Sequence, residues 1–152
     1  MLYFEDIVVG DRRELGSHTF SRDEIVEFAR AFDPQPFHLD EAAAARSHFR
    51  GLVASGWHTA SVAMRLFVDG MAGQIATMGS PGVDELRWLG PVRPDDTVTL
   101  RTEILNATPS TSRSDRGSIR VRYELANQRG EVVLTMVGIG IIARRPSENR
   151  TT

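Results

Sequence analysis

Ile25, Phe28, Ala29 and Phe32 recur at the spacing of one helical face, which predicts an α-helix from about Arg22 to Phe32. Ser21 stands at its N-cap, and Glu24, three residues on, is placed to return a bond to the Ser21 N–H. The helix has to stop near Asp33, because Pro34 disfavours helical geometry at the residue before it. Asp33-Pro34-Gln35-Pro36-Phe37-His38 then reads as a stiff loop, two of its φ angles being fixed by proline. Asp40 follows as the cap of a short alanine-rich helix, Glu41 to Arg46. After a second loop, Gly51 to Gly56, a run rich in Ala, Met, Val and Leu predicts a long, mostly buried helix from Trp57 to about Met78. Gly70 and Gly73 lie inside it, where they suit close backbone approach.

The second half of the chain alternates instead. Val98, Leu100, Thr102 and Ile104 share one face of a strand spanning Thr97 to Ala107. Ile119, Val121, Tyr123 and Leu125 alternate with Arg120, Arg122 and Glu124, so that strand has one wet face. Val132 to Ala143 is apolar on both faces, the mark of a strand covered on two sides. Val83 to Leu89 and Arg12 to Phe20 are shorter candidates, Thr108 to Gly117 reads as a polar loop, and Asn127 to Gly130 as a hairpin turn. Helices grouped early and strands grouped late predict an α+β domain over residues 1–145, with 146–152 a disordered tail. One long helix wrapped by a curved antiparallel sheet satisfies these patterns. Such a helix covers only one sheet face, so a second copy is expected to pair with the first.

Composition narrows the chemistry. All 18 cationic side chains among the 152 residues are arginine, and there is neither lysine nor cysteine. That removes Schiff-base lysines, thiolate nucleophiles, Cys-ligated metals and disulfides. A net charge of -2 gives no basic footprint for nucleic acid. Met1 to Asp11 has no basic n-region, and Arg65 and Asp69 interrupt the weakly polar run Ala60 to Met78. A soluble, cytoplasmic protein without membrane or nucleic-acid partners is expected.

The surviving chemistry rests on carboxylates, imidazoles and backbone dipoles. Asp33 and His38, five apart on the stiff loop, have the residue types of an acid/base pair. The same spacing also suits a helix terminator followed by a core histidine. Ser55-Gly56 opens the long helix, whose free N–H groups and positive dipole end favour an oxyanion; Ser55 also suits a plain N-cap. His58 and Ser61 fall in the first turns, where either could line a pocket beside Gly56, and Trp57 suits a pocket wall or the core. His18 and His48 read as solvent-facing, and Arg120 and Arg122 as a solvated strand face. His38 and Asp40 with His58 have the residue types of an iron facial triad, but Asp40 is better explained as a helix cap, so no metal is expected.

Asp33-Pro34-Gln35-Pro36-Phe37-His38, the Gly51 to Ser61 stretch and the strand-rich second half together resemble the MaoC-like dehydratases. That family includes the R-specific enoyl-CoA hydratases, has the hot-dog fold and carries the signature Asp-x-Asn-Pro-aliphatic-His. The resemblance implies that Asp33 and His38 are a dyad adding water across a 2-enoyl thioester, and that the Gly56 N–H holds the thioester oxygen. It matches Ser61 to a helix serine near the dyad, and Gln35, Ser55, Trp57 and His58 join it as expected substrate-side residues. It implies no resident cofactor, with coenzyme A present only as part of the substrate. The expected partners are an acyl-CoA or acyl-carrier thioester and a second copy of the chain. Three positions depart from the family pattern: Gln35 replaces Asn, Phe37 replaces an aliphatic residue, and Ser55 stands where many members carry His. A thioesterase using Asp33 to activate water, and a non-catalytic acyl-CoA-binding module, are the alternatives.

Overall fold

The computed structural model describes residues 1–147; of the expected disordered tail, residues 148–152 lie outside the described residues. Helix α1 spans Arg22–Phe32, with the Ser21 hydroxyl accepting from the Glu24 N–H at 3.1 Å. The Glu24 carboxylate does not return to Ser21 N–H as the capping pattern suggests. Its Oε1 lies 2.6 Å from His18 Nε2 instead. The stiff loop is shorter than expected, because Pro36 begins a one-turn helix, α2 (Pro36–Leu39). Proline suits a first helical position, where its missing N–H has no intrahelical partner to lose. Helix α3 (Glu41–Arg46) follows, capped by Asp40 Oδ1 on the Ala43 N–H at 2.7 Å.

The long helix, α4, runs only over Gly56–Gly70 and not to Met78. Two contacts end it. A Cβ on Gly70 would stand 2.8 Å from the Leu15 carbonyl oxygen, so the helix meets a neighbouring strand there. Beyond Met71 and a 3-10 turn at Ala72–Gln74, the backbone pairs with other chain segments instead of with itself. The Leu2 N–H donates to Gln74 at 2.8 Å, Ala76 donates to Leu2 at 2.8 Å, and Met78 donates to Ile141 at 2.7 Å.

Five antiparallel strands form one sheet in the order β1-β3-β4-β5-β2, comprising β1 (Arg12–Thr19), β2 (Gly82–Trp88), β3 (Thr97–Pro109), β4 (Arg116–Ala126) and β5 (Val132–Ala143). The expected loop Thr108 to Gly117 is mostly strand: Thr108 pairs with Ser118 and Pro109 with Gly117, leaving residues 110–115 as the turn. Strand β5 is interior in the sheet order but is not covered on two sides as expected: one face packs under α4, while Ile139 and Ile141 on the other stay half-buried on the face that carries Arg120 and Arg122. Val62, Ala63, Leu66 and Phe67 of α4 pack on Val98, Leu100, Ile104, Val121, Leu125 and Leu134 of the sheet. The opposite face carries ion pairs such as Arg122–Glu103 at 3.2 Å and Arg120–Asp84 at 2.9 Å. Pairs this exposed contribute little stability.

Only one side of α4 is buried, against the expectation of a mostly buried helix. Trp57, Met64 and Val68 stay exposed along its other side. No helix among the described residues is long and apolar enough to cross a membrane. Gly70→Ala tests what ends α4. Helix propensity alone would raise stability by about 1 kcal/mol. The clash with Leu15 is expected to reverse that sign, lowering the melting temperature by roughly 2–8 °C in a thermal unfolding scan.

Candidate active site

The end of α1 and the single turn of α2 bring Asp33 and His38 together. Asp33 is the C-cap of α1, its N–H donating to Ala29 at 2.9 Å while its φ of -150 and ψ of 69 leave the helical region ahead of Pro34. Pro36 then starts α2, and His38 comes round with its Nε2 3.2 Å from Asp33 Oδ2. The imidazole is buried, and its Nδ1 lies 2.6 Å from the Val53 carbonyl oxygen. A carbonyl only accepts, so Nδ1 carries a hydrogen and Nε2 is the nitrogen left to exchange protons.

Asp33 is held as an anion. Partial burial alone would push its carboxyl up, but donation from the Gln35 amide, the Ser55 hydroxyl beside it and the positive charge available on His38 outweigh that, and the pKa falls below the usual aspartate value. The Gln35 Nε2–Oδ1 distance is 2.7 Å. Ser55 is fully buried and also accepts from the Trp57 N–H at 3.3 Å, so one hydroxyl caps α4 and faces the carboxylate.

A cleft of about 440 Å³ opens beside this pair, with Gly56, Trp57 and Gln35 in its wall along with Asp33 and His38. Among the described residues, the Gly56 N–H, at the first position of α4, donates to no protein acceptor. It is one of the orphan donors of a helix start. The space beside the Gly56 Cα, where a side chain would stand, is occupied by protein. The Trp88 indole fills that space, 2.5 Å from where a Cβ would stand, and its Nε1 donates to the Gly56 carbonyl at 2.8 Å. Trp88 also meets Trp57 edge to face at 5.1 Å.

Two residues expected beside Gly56 lie elsewhere. Ser61 is exposed, its hydroxyl donating to the Trp57 carbonyl at 2.7 Å, because a helical serine readily bonds back one turn. His58 turns away from the cleft and stacks on Phe28 of α1 at 4.7 Å and 7°, with Glu24 3.6 Å from its Nε2. Burial lowers its pKa, against the raising effect of Glu24. His18 is half-buried against Glu24 rather than solvent-facing, whereas His48 is exposed. Asp40 spends its carboxylate on α3, so His38, Asp40 and His58 do not converge. Trp88, Leu89 and Phe49 of the cleft wall were not singled out in the sequence. No local signal marks Trp88, which reaches Gly56 from 32 positions away only through strand pairing.

Residues 7–127 match the MaoC like domain family. The chain belongs to that family. Its fold superposes on the MaoC-like dehydratase from Rhodospirillum rubrum with a TM-score of 0.88 at 45% identity, covering 96% of this chain and 99% of that one. The (R)-hydratase from A. caviae aligns at a TM-score of 0.71 and 25% identity, over 93% and 99% of the two chains. Among sequence relatives, a 3-hydroxybutyryl-CoA dehydratase from Methylorubrum extorquens is 32% identical over 115 residues, which is 75% of this chain and 71% of that protein. The α+β domain is therefore a MaoC-like hot-dog domain, as the resemblance implied, and its neighbours include hydratases and dehydratases.

The depressed Asp33 carboxyl has a consequence for stability. Its folded pKa lies below the unfolded value, so it stabilises the fold above about pH 4, and this contribution is lost as pH falls through the folded pKa. Gln35→Ala removes the leading donor and is expected to bring the carboxyl back towards its ordinary value. Urea unfolding from pH 6 down to pH 2 should show a shallower acid loss in this variant than in the parent.

Proposed function

We propose that the protein is an acyl-thioester hydratase or dehydratase, reversibly adding water to a 2-enoyl thioester to give a 3-hydroxyacyl thioester. The observation that carries this reading is an ionised carboxylate 3.2 Å from an imidazole nitrogen, beside a helix start with a free N–H. The family membership and the 3-hydroxybutyryl-CoA dehydratase relative support the reaction class.

Asp33, kept anionic by Gln35 and Ser55, takes a proton from water as the water oxygen bonds to C3. The C2–C3 π electrons move towards the thioester carbonyl, whose developing charge faces the Gly56 N–H and the positive end of α4. His38 Nε2 delivers a proton to C2, and the proton on Asp33 passes back across the 3.2 Å gap to restore the imidazole. Dehydration runs these transfers in reverse. Acid/base work of this kind supplies about 10²–10⁴-fold in rate, and one oxyanion donor about 10²–10³-fold. No step needs a resident cofactor; coenzyme A or a carrier enters with the substrate.

Asp33→Asn and His38→Ala are each expected to lower kcat at least about 100-fold on a short enoyl-CoA, followed by loss of the conjugated enoyl absorbance, with the circular dichroism spectrum unchanged. Parent-like rates in both variants would refute the dyad. Release of free thiol from a saturated acyl-CoA, with no hydration, would instead identify a thioesterase.

The working unit we propose is a homodimer. Trp57, Met64 and Val68 form one exposed apolar stripe on α4, and β2, the edge strand beside it, exposes Val83. A second copy paired along β2 would continue the sheet and cover the stripe. Met64→Glu combined with Val68→Glu should convert a dimer to a monomer in size-exclusion chromatography with light scattering. An unchanged mass would place the interface elsewhere.

A further inference from the structure

His18, Glu24 and His58 form a cluster outside the cleft that the proposed reaction does not use. Glu24 Oε1, in the first turn of α1, lies 2.6 Å from His18 Nε2 on β1 and 3.6 Å from His58 Nε2 on α4. The His58 ring is buried between α1 and Phe20, stacked flat on Phe28 and edge-on to Phe20 at 4.9 Å. Its Nδ1 has no partner among the described residues. A site that needed packing alone is better filled by an apolar ring, because an orphaned buried nitrogen opposes folding. Its other nitrogen, Nε2, faces the Glu24 carboxylate at 3.6 Å, beyond hydrogen-bond distance, so the pair meets through an electrostatic contact and not a hydrogen bond.

The cluster joins the two elements that carry the chemistry. Helix α1 carries Glu24 in its first turn and leads into its C-cap, Asp33; α4 presents Gly56 two residues before His58. We infer that Glu24 and His58, supported by His18, are positioning residues that fix the tilt of α1 against the first turn of α4 and so set Asp33 opposite His38. Glu24 and Asp33 are separated by about 13 Å of helix at 1.5 Å per residue, so a tilt of roughly 5° about the Glu24 end moves Asp33 by about 1 Å. A displacement of that size can lower a rate about 100-fold. Ile25 and Ala29 keep α1 in the core when the polar tie is cut, so the helix is expected to remain folded with its angle relaxed. Among the described residues, the titratable groups acting on His58 are Glu24 of α1 and His18 of β1, and both belong to the cluster.

This inference rests on the hydratase reading, and its test separates the two. His58→Phe keeps the ring stack and removes the tie, Glu24→Ala removes it from the other side, and Glu24→Gln retains an acceptor oxygen. Steady-state kinetics on a short enoyl-CoA are run beside carbon-13 NMR titration of the Asp33 carboxyl in the intact protein. His58→Phe and Glu24→Ala are expected to lower kcat 10- to 100-fold with KM within about 3-fold of the parent, and to move the Asp33 titration towards its ordinary value. Glu24→Gln should stay within about 3-fold of parental kcat. Parental kcat and an unmoved Asp33 titration in His58→Phe and Glu24→Ala would overturn the inference. So would a rate loss that comes only with a matching loss of melting temperature and an unmoved Asp33. If the parent hydrates no enoyl thioester, the hydratase reading fails while the Asp33 titration still decides: movement supports the positioning role, and none refutes it.

Discussion

One helix has to cover one face of a five-stranded sheet, and most features of the molecule follow from that constraint. Helix α4 buries Val62, Leu66 and Phe67 against the sheet, which leaves its far side outside the monomer's core. The far side is apolar, with Trp57, Met64 and Val68 in line, and the edge strand β2 runs alongside it. The other sheet face needs no cover, because Arg120, Arg122, Glu103 and Asp84 make it a mutually paired, solvated surface. The short helices α1 to α3 then close the open end of α4. Their packing there creates the cleft.

Within the cleft, each functional group is set by a partner contributed from elsewhere. The Val53 carbonyl decides which His38 nitrogen can titrate, and Gln35 and Ser55 decide that Asp33 is charged. Trp88 decides that position 56 has no side chain, and its indole N–H bonds the Gly56 carbonyl, which belongs to the following peptide and leaves the Gly56 N–H untouched. The departures from the family signature act at this level. Gln35 meets the Asp33 carboxylate at 2.7 Å, while Phe37 joins Phe49 and Trp88 in an aromatic wall.

The elements themselves were legible because local rules governed them. Ser21, Pro34 and Asp40 set the limits of α1 and α3, and period-two alternation marked β3 and β4. Expectation failed where distant segments intervened. Helix α4 ends at Gly70 because Leu15 and the pairing of residues 74–78 with Leu2 and Ile141 replace its next turns. The loop after β3 is short because the β3–β4 ladder carries on to Pro109 and Gly117. Glu24, placed to close a capping box, meets His18 instead, which the packing of β1 brings to within 2.6 Å.

The sequence by itself removed thiol and lysine chemistry and set Asp33 and His38, candidates for an acid/base pair, five apart on a proline-limited segment. Spacing of five residues and the prolines between them are local facts, and local sterics carry them into any fold. Tertiary structure alone decided that their side chains meet at 3.2 Å, that His58 turns away to α1, and that Ser61 turns to solvent. Positions 55 to 61 share two helical turns, and which of them faces the cleft depends on the rotation of α4 about its axis. That rotation is set by the sheet and by Trp88, which are brought to the helix by pairing far along the chain.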